Sequence, residues 1–352
     1  MHILEIFLKK LKKTLIAEHL YKFTMSEPTS DDSDHSFVKP TLKQSYSKTR
    51  FLSKQARAGI DLVRPFTLTA PFLVYMGIAT ASLVYNREII PITTDWFLTV
   101  GQTSFTIVLV NAASNALNQA TDVEADKISK PYRPIPKGII RADTAQSLAY
   151  LLYLFALLRA VTINIWFGIF VFLIMVFTVT YSLPPRMKKY LFINQVWIAI
   201  PRGILGILAS WSVFGASPFT LTPIVIGLIS TLYLIGGMAT KDITDSEADK
   251  KTGVNTLINT YGNKKTALIS FPFMFFPFIF IPIFINQGAL KPYLWPLTFL
   301  IIFSFIIFYF IIKGKESDTF ENVHAWSLMY IQYIFFAMGF SLLTIFSDIL
   351  PF

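Results

Sequence analysis

The chain has 352 residues, of which 53% are hydrophobic and only 15% charged, with a formal charge of +10 and no cysteine. An ordinary soluble domain is about 25% charged, so that class is excluded, and without cysteine there can be no disulfide, thiolate metal site or iron–sulfur cluster. His2, His19, His35 and His324 are too scattered for a zinc site, and in so apolar a chain the basic excess marks cytoplasmic loops and anionic lipid contact, not nucleic acid.

Residues 1–24 place Leu4, Phe7, Leu8, Leu11 and Leu15 at helical spacing, with Lys9, Lys10, Lys12 and Lys13 between them. This pattern predicts a basic amphipathic helix at the membrane surface, or else a non-essential extension ahead of a start at Met25. Residues 25–54 are polar and rich in Ser and Asp, and are expected to form a flexible tail. The remainder, 55–352, reads as one transmembrane domain. Nine apolar runs, roughly 66–86, 96–118, 145–163, 165–183, 191–213, 222–240, 266–286, 293–313 and 325–347, are each long enough to cross a bilayer as a helix.

Loop charges test that count. With the N-terminus inside, fifteen Lys and Arg fall in interior loops and only Arg87, Arg159 and Lys291 outside, the asymmetry expected of correct phasing. Two acidic stretches then face the cytoplasm: "NQATDVEADKISKPYRPIPKG" (Asn118–Gly138) and "KDITDSEADKKTG" (Lys241–Gly253). Asp122 and Asp126 precede Asp245 and Asp249 by 123 residues, with four spans between the clusters. The expected fold is therefore an all-α integral membrane protein with nine transmembrane helices, as two related four-helix halves plus a ninth helix.

Asn118, Asp122 and Asp126 are spaced i, i+4, i+8, and Asn115 lies one turn earlier. If the second span continues as a helix, these side chains share one face. Asp242, Asp245 and Asp249 share a face in the same way. Charges beside a membrane core point into polar cavities, and oxygen-only ligands suit Mg²⁺, which binds through a few carboxylates together with substrate phosphates. Arg133 and nearby lysines are suited to neutralising the rest of a diphosphate. A solvated loop would account for one such cluster, but less readily for two in register on one side.

These stretches resemble the two Asp-rich signatures of the UbiA-type membrane prenyltransferase superfamily. "YSLPPRMKK" (Tyr181–Lys189) resembles the family's Tyr/Lys loop motif, and "VRPFTL" (Val63–Leu68) its Arg-Pro entry to the first helix. The resemblance covers about residues 55–350. It implies nine helices around a central cavity and Mg²⁺-dependent transfer of a prenyl group from a polyprenyl diphosphate donor to a hydrophobic acceptor. Carried over by position, Asn118, Asp122, Asp126, Asp245 and Asp249 would coordinate the Mg²⁺–diphosphate, and Arg133, Tyr181, Lys188 and Lys241 would contact the diphosphate. Asn115, Asp242, Arg64 and Arg202 are further candidates. The chain departs from the pattern at Gln119, where many members have Asp, and at Lys241, where some have Asn. Both changes are expected to alter metal affinity or diphosphate orientation.

The acceptor stays open among a quinone precursor or other aromatic, a prenylated glycerol phosphate and a chlorin carboxylate, with the aromatic favoured. A terpene cyclase of the same superfamily and a secondary transporter are the competing functions. Membrane lipid is the expected surrounding partner, and no protein partner can be inferred. Arg202, inside the fifth span, is expected either to meet a carboxylate or other oxygen of the acceptor or to snorkel to the far interface. Pro272, Pro277 and Pro282 are expected to kink the seventh span and open a lateral gate, unless the membrane merely tolerates them. The Phe-rich runs of the seventh and eighth spans are read as facing lipid or an isoprenoid tail.

Overall fold

The structure, a computed structural model, describes residues 54–86, 94–314 and 323–347. The surface helix expected over 1–24 and the tail up to residue 53 lie outside the described residues, as do Arg87 and Lys315 of the loop tally. Among the described residues there are no strands, and nine helical segments are long and apolar enough to cross a membrane.

The elements in chain order are α1 (Lys54–Val63), a 3₁₀ turn (Pro65–Leu68) leading into α2 (Thr69–Tyr85), α3 (Thr94–Thr121), α4 (Val123–Ser129), α5 (Ala142–Ile163) and α6 (Ile165–Ser182). Next come α7 (Ile193–Ile200) and α8 (Gly206–Ser212), joined by a π-turn (Pro201–Leu205), then α9 (Leu221–Gly237) and α10 (Asp242–Lys251). Last are α11 (Leu257–Asn286), a 3₁₀ stretch (Pro292–Leu300) running into α12 (Ile301–Lys313), and α13 (His324–Ile345). Each span packs on the next, and α13 returns to α2, so the nine close into a ring. The span formed by α7 and α8 also packs on α2.

Lipid tails give no hydrophobic drive for helices to associate, so close backbone approach and internal hydrogen bonds hold such a bundle. On α5, Ala145, Ala149, Tyr153, Ala156 and Ala160 form one buried stripe, and this helix packs extensively on α3. Its other face exposes Leu151, Leu154, Leu158 and Val161, the surface expected to meet lipid. Buried polar side chains tie the remaining helices. Tyr85 and Thr222 share a 2.7 Å hydrogen bond, and Gln332 donates to the Leu300 carbonyl at 3.0 Å and the Ser304 hydroxyl at 3.2 Å.

Two boundaries differ from the sequence reading. The sixth span does not end near 240; a 3₁₀ turn (Met238–Lys241) carries it on to Lys251, so its acidic segment stays attached to a rigid helix. In α11 the backbone remains helical at Pro272, Pro277 and Pro282, and the interruption falls instead at Gly262, whose φ of 72° suits glycine. The Phe-rich runs line no part of the cavity described below; Phe271 and Phe275 pack against Phe305 between α11 and α12.

The π-turn depends on a near contact. A Cβ at Gly203 would stand 2.7 Å from the backbone N and Cα of Thr231, whose hydroxyl accepts from the Ile204 N–H at 2.8 Å. Gly203→Ala is expected to lower the thermal midpoint of the detergent-solubilised protein through overpacking of about 1–3 kcal/mol. Gly101→Ala, with nothing within 4 Å of its Cβ, is expected to leave it unchanged or slightly raised. Size-exclusion recovery after graded heating measures both.

Candidate active site

Both acidic segments face one cavity of about 210 Å³. The expected unbroken helix is interrupted: α3 ends at Thr121, and Asp122 takes φ −109° and ψ 22° before α4 resumes. The hydrogen-bond register nevertheless survives. The N–H of Asp122 donates to the Asn118 carbonyl at 3.0 Å, and that of Asp126 to the Asp122 carbonyl at 2.8 Å. Asn118, Asp122 and Asp126 thus still line the cavity together, as does Asn115. Asp242, Asp245 and Asp249 face them from α10, which packs directly on α4. The other predicted residues, Arg64, Arg133, Tyr181, Lys188, Arg202 and Lys241, line the same space.

Carboxylates this sheltered need compensation, because burial of an unpaired charge is costly. Arg133 donates to both oxygens of Asp126 at 3.0 and 2.8 Å, a pair with both side chains almost fully buried. Burial pushes the Asp126 carboxyl above the usual carboxylate range, and Arg133 and Lys130 hold it back. Asp122 takes Lys188 and also Arg186, the latter at 2.8 Å; burial pushes the Lys188 ammonium below its ordinary value, and Asp122 opposes this. Lys130 bridges the two acidic segments by binding Asp245, and Lys241 pairs with its neighbour Asp242.

Arg64, which lines the cavity, and Arg186, which binds the cavity residue Asp122, have left-handed backbones at φ 55° and 57°. Such conformations cost non-glycine residues on the order of 1–3 kcal/mol and persist where the surroundings hold them. Arg186 is held by donating to the Thr121 carbonyl at 3.2 Å and to Asp122.

The donor set fits a hard divalent cation. It is all oxygen, and the Asp249 carboxylate makes no hydrogen bond or ion pair among the described residues. Beside it, Asp242 has one buried oxygen, Oδ2, without a partner. Both are open to a cation. Among the described residues no three acidic or His side chains are already drawn together as a metal cluster. Lysines and arginines occupy the carboxylates instead, so metal entry would displace them. Five Asp and six Lys or Arg line the cavity. A space so nearly neutral would hold a polyanion only with additional positive charge.

Several site residues are not singled out by the sequence reading. Lys130 continues the i+4 series after Asp126, a signal that is present in the chain; Arg186 has none, since its role depends on an unusual backbone angle. Tyr75, Phe177, Trp197, Trp326 and Tyr330 line the cavity because spans distant in sequence meet there. Gln119 corrects an expectation. It is buried and donates to the Leu62 carbonyl at 2.7 Å, fastening α1 to α3, and it does not line the cavity. Lys241, the second departure, does line it, as a cation beside Asp242. Arg202 does not snorkel to the far interface; it too lines the cavity.

Comparison with known proteins follows from this geometry. The UbiA prenyltransferase family matches residues 68–342. Digeranylgeranylglyceryl phosphate synthase of Methanosphaera stadtmanae is 26% identical over 287 residues, covering 80% of this chain and 98% of that protein. The chloroplastic homogentisate solanesyltransferase of Arabidopsis thaliana is 27% identical over 298 residues, covering 78% and 74%. A solved UbiA homologue from Archaeoglobus fulgidus, bound to GPP and Mg²⁺, shares the fold with a TM-score of 0.63 at 17% identity, over 82% of this chain and 98% of that one.

The Arg133–Asp126 pair supplies a prediction. Arg133→Met strands a buried carboxylate and is expected to destabilise the folded protein by about 3–5 kcal/mol. Adding Asp126→Asn to that variant should recover much of the loss. Thermal unfolding of both single variants and the double variant in detergent measures the coupling.

Proposed function

Because the chain belongs to the UbiA prenyltransferase family, we propose that it transfers a prenyl group from a polyprenyl diphosphate to a lipophilic acceptor, with Mg²⁺ as the cofactor. The observation that carries this reading is the convergence of two acidic segments and their paired cations on one cavity, which aromatic rings and polar side chains such as Asn194 and Arg202 also line. The protein is a multi-pass integral membrane prenyltransferase. The excess of loop Lys and Arg beside the acidic segments supports a cytoplasmic orientation of that end.

Mg²⁺ held by Asn118, Asp122, Asp126, Asp245 and Asp249 supplies, when bound, the positive charge that makes diphosphate a good leaving group. Lysines and arginines freed from those carboxylates, chiefly Lys188, Arg133 and Lys130, then bind the non-bridging oxygens. Lys241 and the Tyr181 hydroxyl lie within the same space for further contacts. The allylic C–O bond breaks with its electron pair going to diphosphate, and the charge gathered there favours that step. The carbon left positive is delocalised and faces rings. Phe177 packs on Trp197 with centroids 4.6 Å apart, and Trp326 on Tyr330 at 4.3 Å. Trp197 is held by donating to Thr180 at 2.9 Å. These walls keep out water that would otherwise capture the cation. A bond then forms to the acceptor, which gives up a proton.

The aromatic lining supports an aromatic acceptor such as a quinone precursor, the class named in homogentisate solanesyltransferase. A glyceryl phosphate lipid is the second reading, supported by relatives named digeranylgeranylglyceryl phosphate synthase.

Purified protein incubated with Mg²⁺, geranylgeranyl or farnesyl diphosphate and both acceptor classes tests this, with mass spectrometry identifying the products. Asp122→Ala and Asp245→Ala are each expected to reduce diphosphate release by roughly a hundredfold or more while the protein remains folded. Chelation of Mg²⁺ should have the same effect on the unaltered protein. Hydrocarbon released without any acceptor would point to a cyclase, and full activity in both variants would reject the assignment.

A further inference from the structure

Among the cavity's cations, Lys130, Arg133, Lys188 and Lys241 all pair with carboxylates, and Arg64 has contacts of its own. Arg202 differs. It is partly buried inside the fifth span, and its guanidinium reaches only the sulfur of Met238, at 4.0 Å; among the described residues no carboxylate pairs with it. An arginine at membrane depth is costly and is normally matched by a partner in a polar cavity.

Its position is built rather than incidental. The π-turn widens the helix at Pro201–Leu205, and the Arg202 carbonyl accepts from the Tyr75 hydroxyl at 2.8 Å and the Tyr333 hydroxyl at 2.7 Å. Tyrosines from the first and ninth spans thus fix the backbone and leave the guanidinium to the cavity. A water-sized space of about 10 Å³ adjoins it, bounded by Tyr75, Tyr330, Tyr333 and Arg202. Met238 lies four residues before Asp242 in the same span, so the guanidinium meets that span on the membrane side of its acidic segment. A diphosphate held by the acidic segments would leave its allylic carbon on that side. On the same span Asn194 is 1% exposed and lines the cavity, with neither polar atom of its amide hydrogen-bonded. This helix therefore presents two unsatisfied polar groups to the space a second substrate would occupy.

We propose that Arg202 binds an acid group on the acceptor, a carboxylate or a phosphate, and so selects anionic acceptors and places their nucleophilic atom beside the donor's allylic carbon. The assignment of the acid to the acceptor rests on the prenyl-transfer reading above. A guanidinium offers two parallel donors to either anion, and a neutral analogue would leave them unmatched.

The test uses the full chain in lipid nanodiscs and two matched pairs of probes: homogentisate with its methyl ester, and geranylgeranylglyceryl phosphate with its dephosphorylated alcohol. Binding is read from quenching of tryptophan fluorescence, since Trp197 and Trp326 line the cavity; transfer is read separately with Mg²⁺ and geranylgeranyl diphosphate. The unaltered protein should bind the acid of one pair at least about tenfold more tightly than its neutral counterpart, and the pair that responds tells carboxylate from phosphate. Arg202→Gln should weaken that acid roughly ten- to hundredfold in Kd and acceptor KM, leaving the neutral counterpart and the donor KM unchanged. Arg202→Lys should restore part of the preference. Since the fold uses the Arg202 carbonyl and not its guanidinium, both variants should elute as the parent does. Equal binding of acid and neutral forms in both pairs, or a preference that survives Arg202→Gln, overturns the inference. Acid selection lost in Arg202→Gln from a protein that releases no diphosphate would retain this subsite and refute the transfer reading instead.

Discussion

Compensation of charge at the end of a membrane bundle is the constraint on which the rest of this structure depends. Five aspartates line one cavity, and Asp122, Asp126, Asp242 and Asp245 each take a Lys or Arg that offsets the cost of sheltering them. Lys130 and Arg133 come from the loop after α4, and Arg186 and Lys188 from the loop after α6. Those loops are therefore drawn over the mouth by the acids they neutralise. Among the described residues the Asp249 carboxylate and Oδ2 of Asp242 make no hydrogen bond, which leaves them open to a divalent cation.

The helical ring exists to bring those charges into register. Lipid does not push helices together, so the bundle relies on the alanine stripe of α5, on Gly203 against the Thr231 backbone, and on buried tyrosine and glutamine hydrogen bonds. Small residues let the spans approach at some places, while larger ones hold them apart around the cavity. The π-turn in the fifth span belongs to the same design. It relaxes the regular ladder where Pro201 offers no N–H, and two tyrosine hydroxyls take up the Arg202 carbonyl. Aromatic rings, Trp197 and Trp326 among them, shelter the same cavity, as a reaction through an electron-poor carbon requires.

Residues whose meaning lies in local spacing are legible in the chain itself. The i, i+4, i+8 series from Asn118 projects toward one space even though α3 breaks at Asp122, because hydrogen bonds at the break keep the helical register. Residues whose meaning depends on a distant partner are not. Gln119 stands beside the first signature residue, yet it turns the other way to hold the Leu62 carbonyl, an orientation set by where α1 lies. The three prolines of α11 draw the eye in the sequence, but the residue whose backbone leaves the helix is Gly262, at an angle that suits glycine. Among 55 aromatic residues, composition cannot choose those that face the cavity, since lipid-facing and cavity-facing rings have the same character.

Amino-acid order alone determined the membrane class, the number of spans, and which acids lie on one helical face, because hydrophobic run length and helical periodicity are properties of a few adjacent turns. Tertiary structure alone decided that Lys130 reaches Asp245, that Arg202 lines the cavity with no carboxylate partner among the described residues, and which rings enclose the cavity. Each of those facts is a distance between residues far apart in the chain, and such distances come into being only when the ring closes.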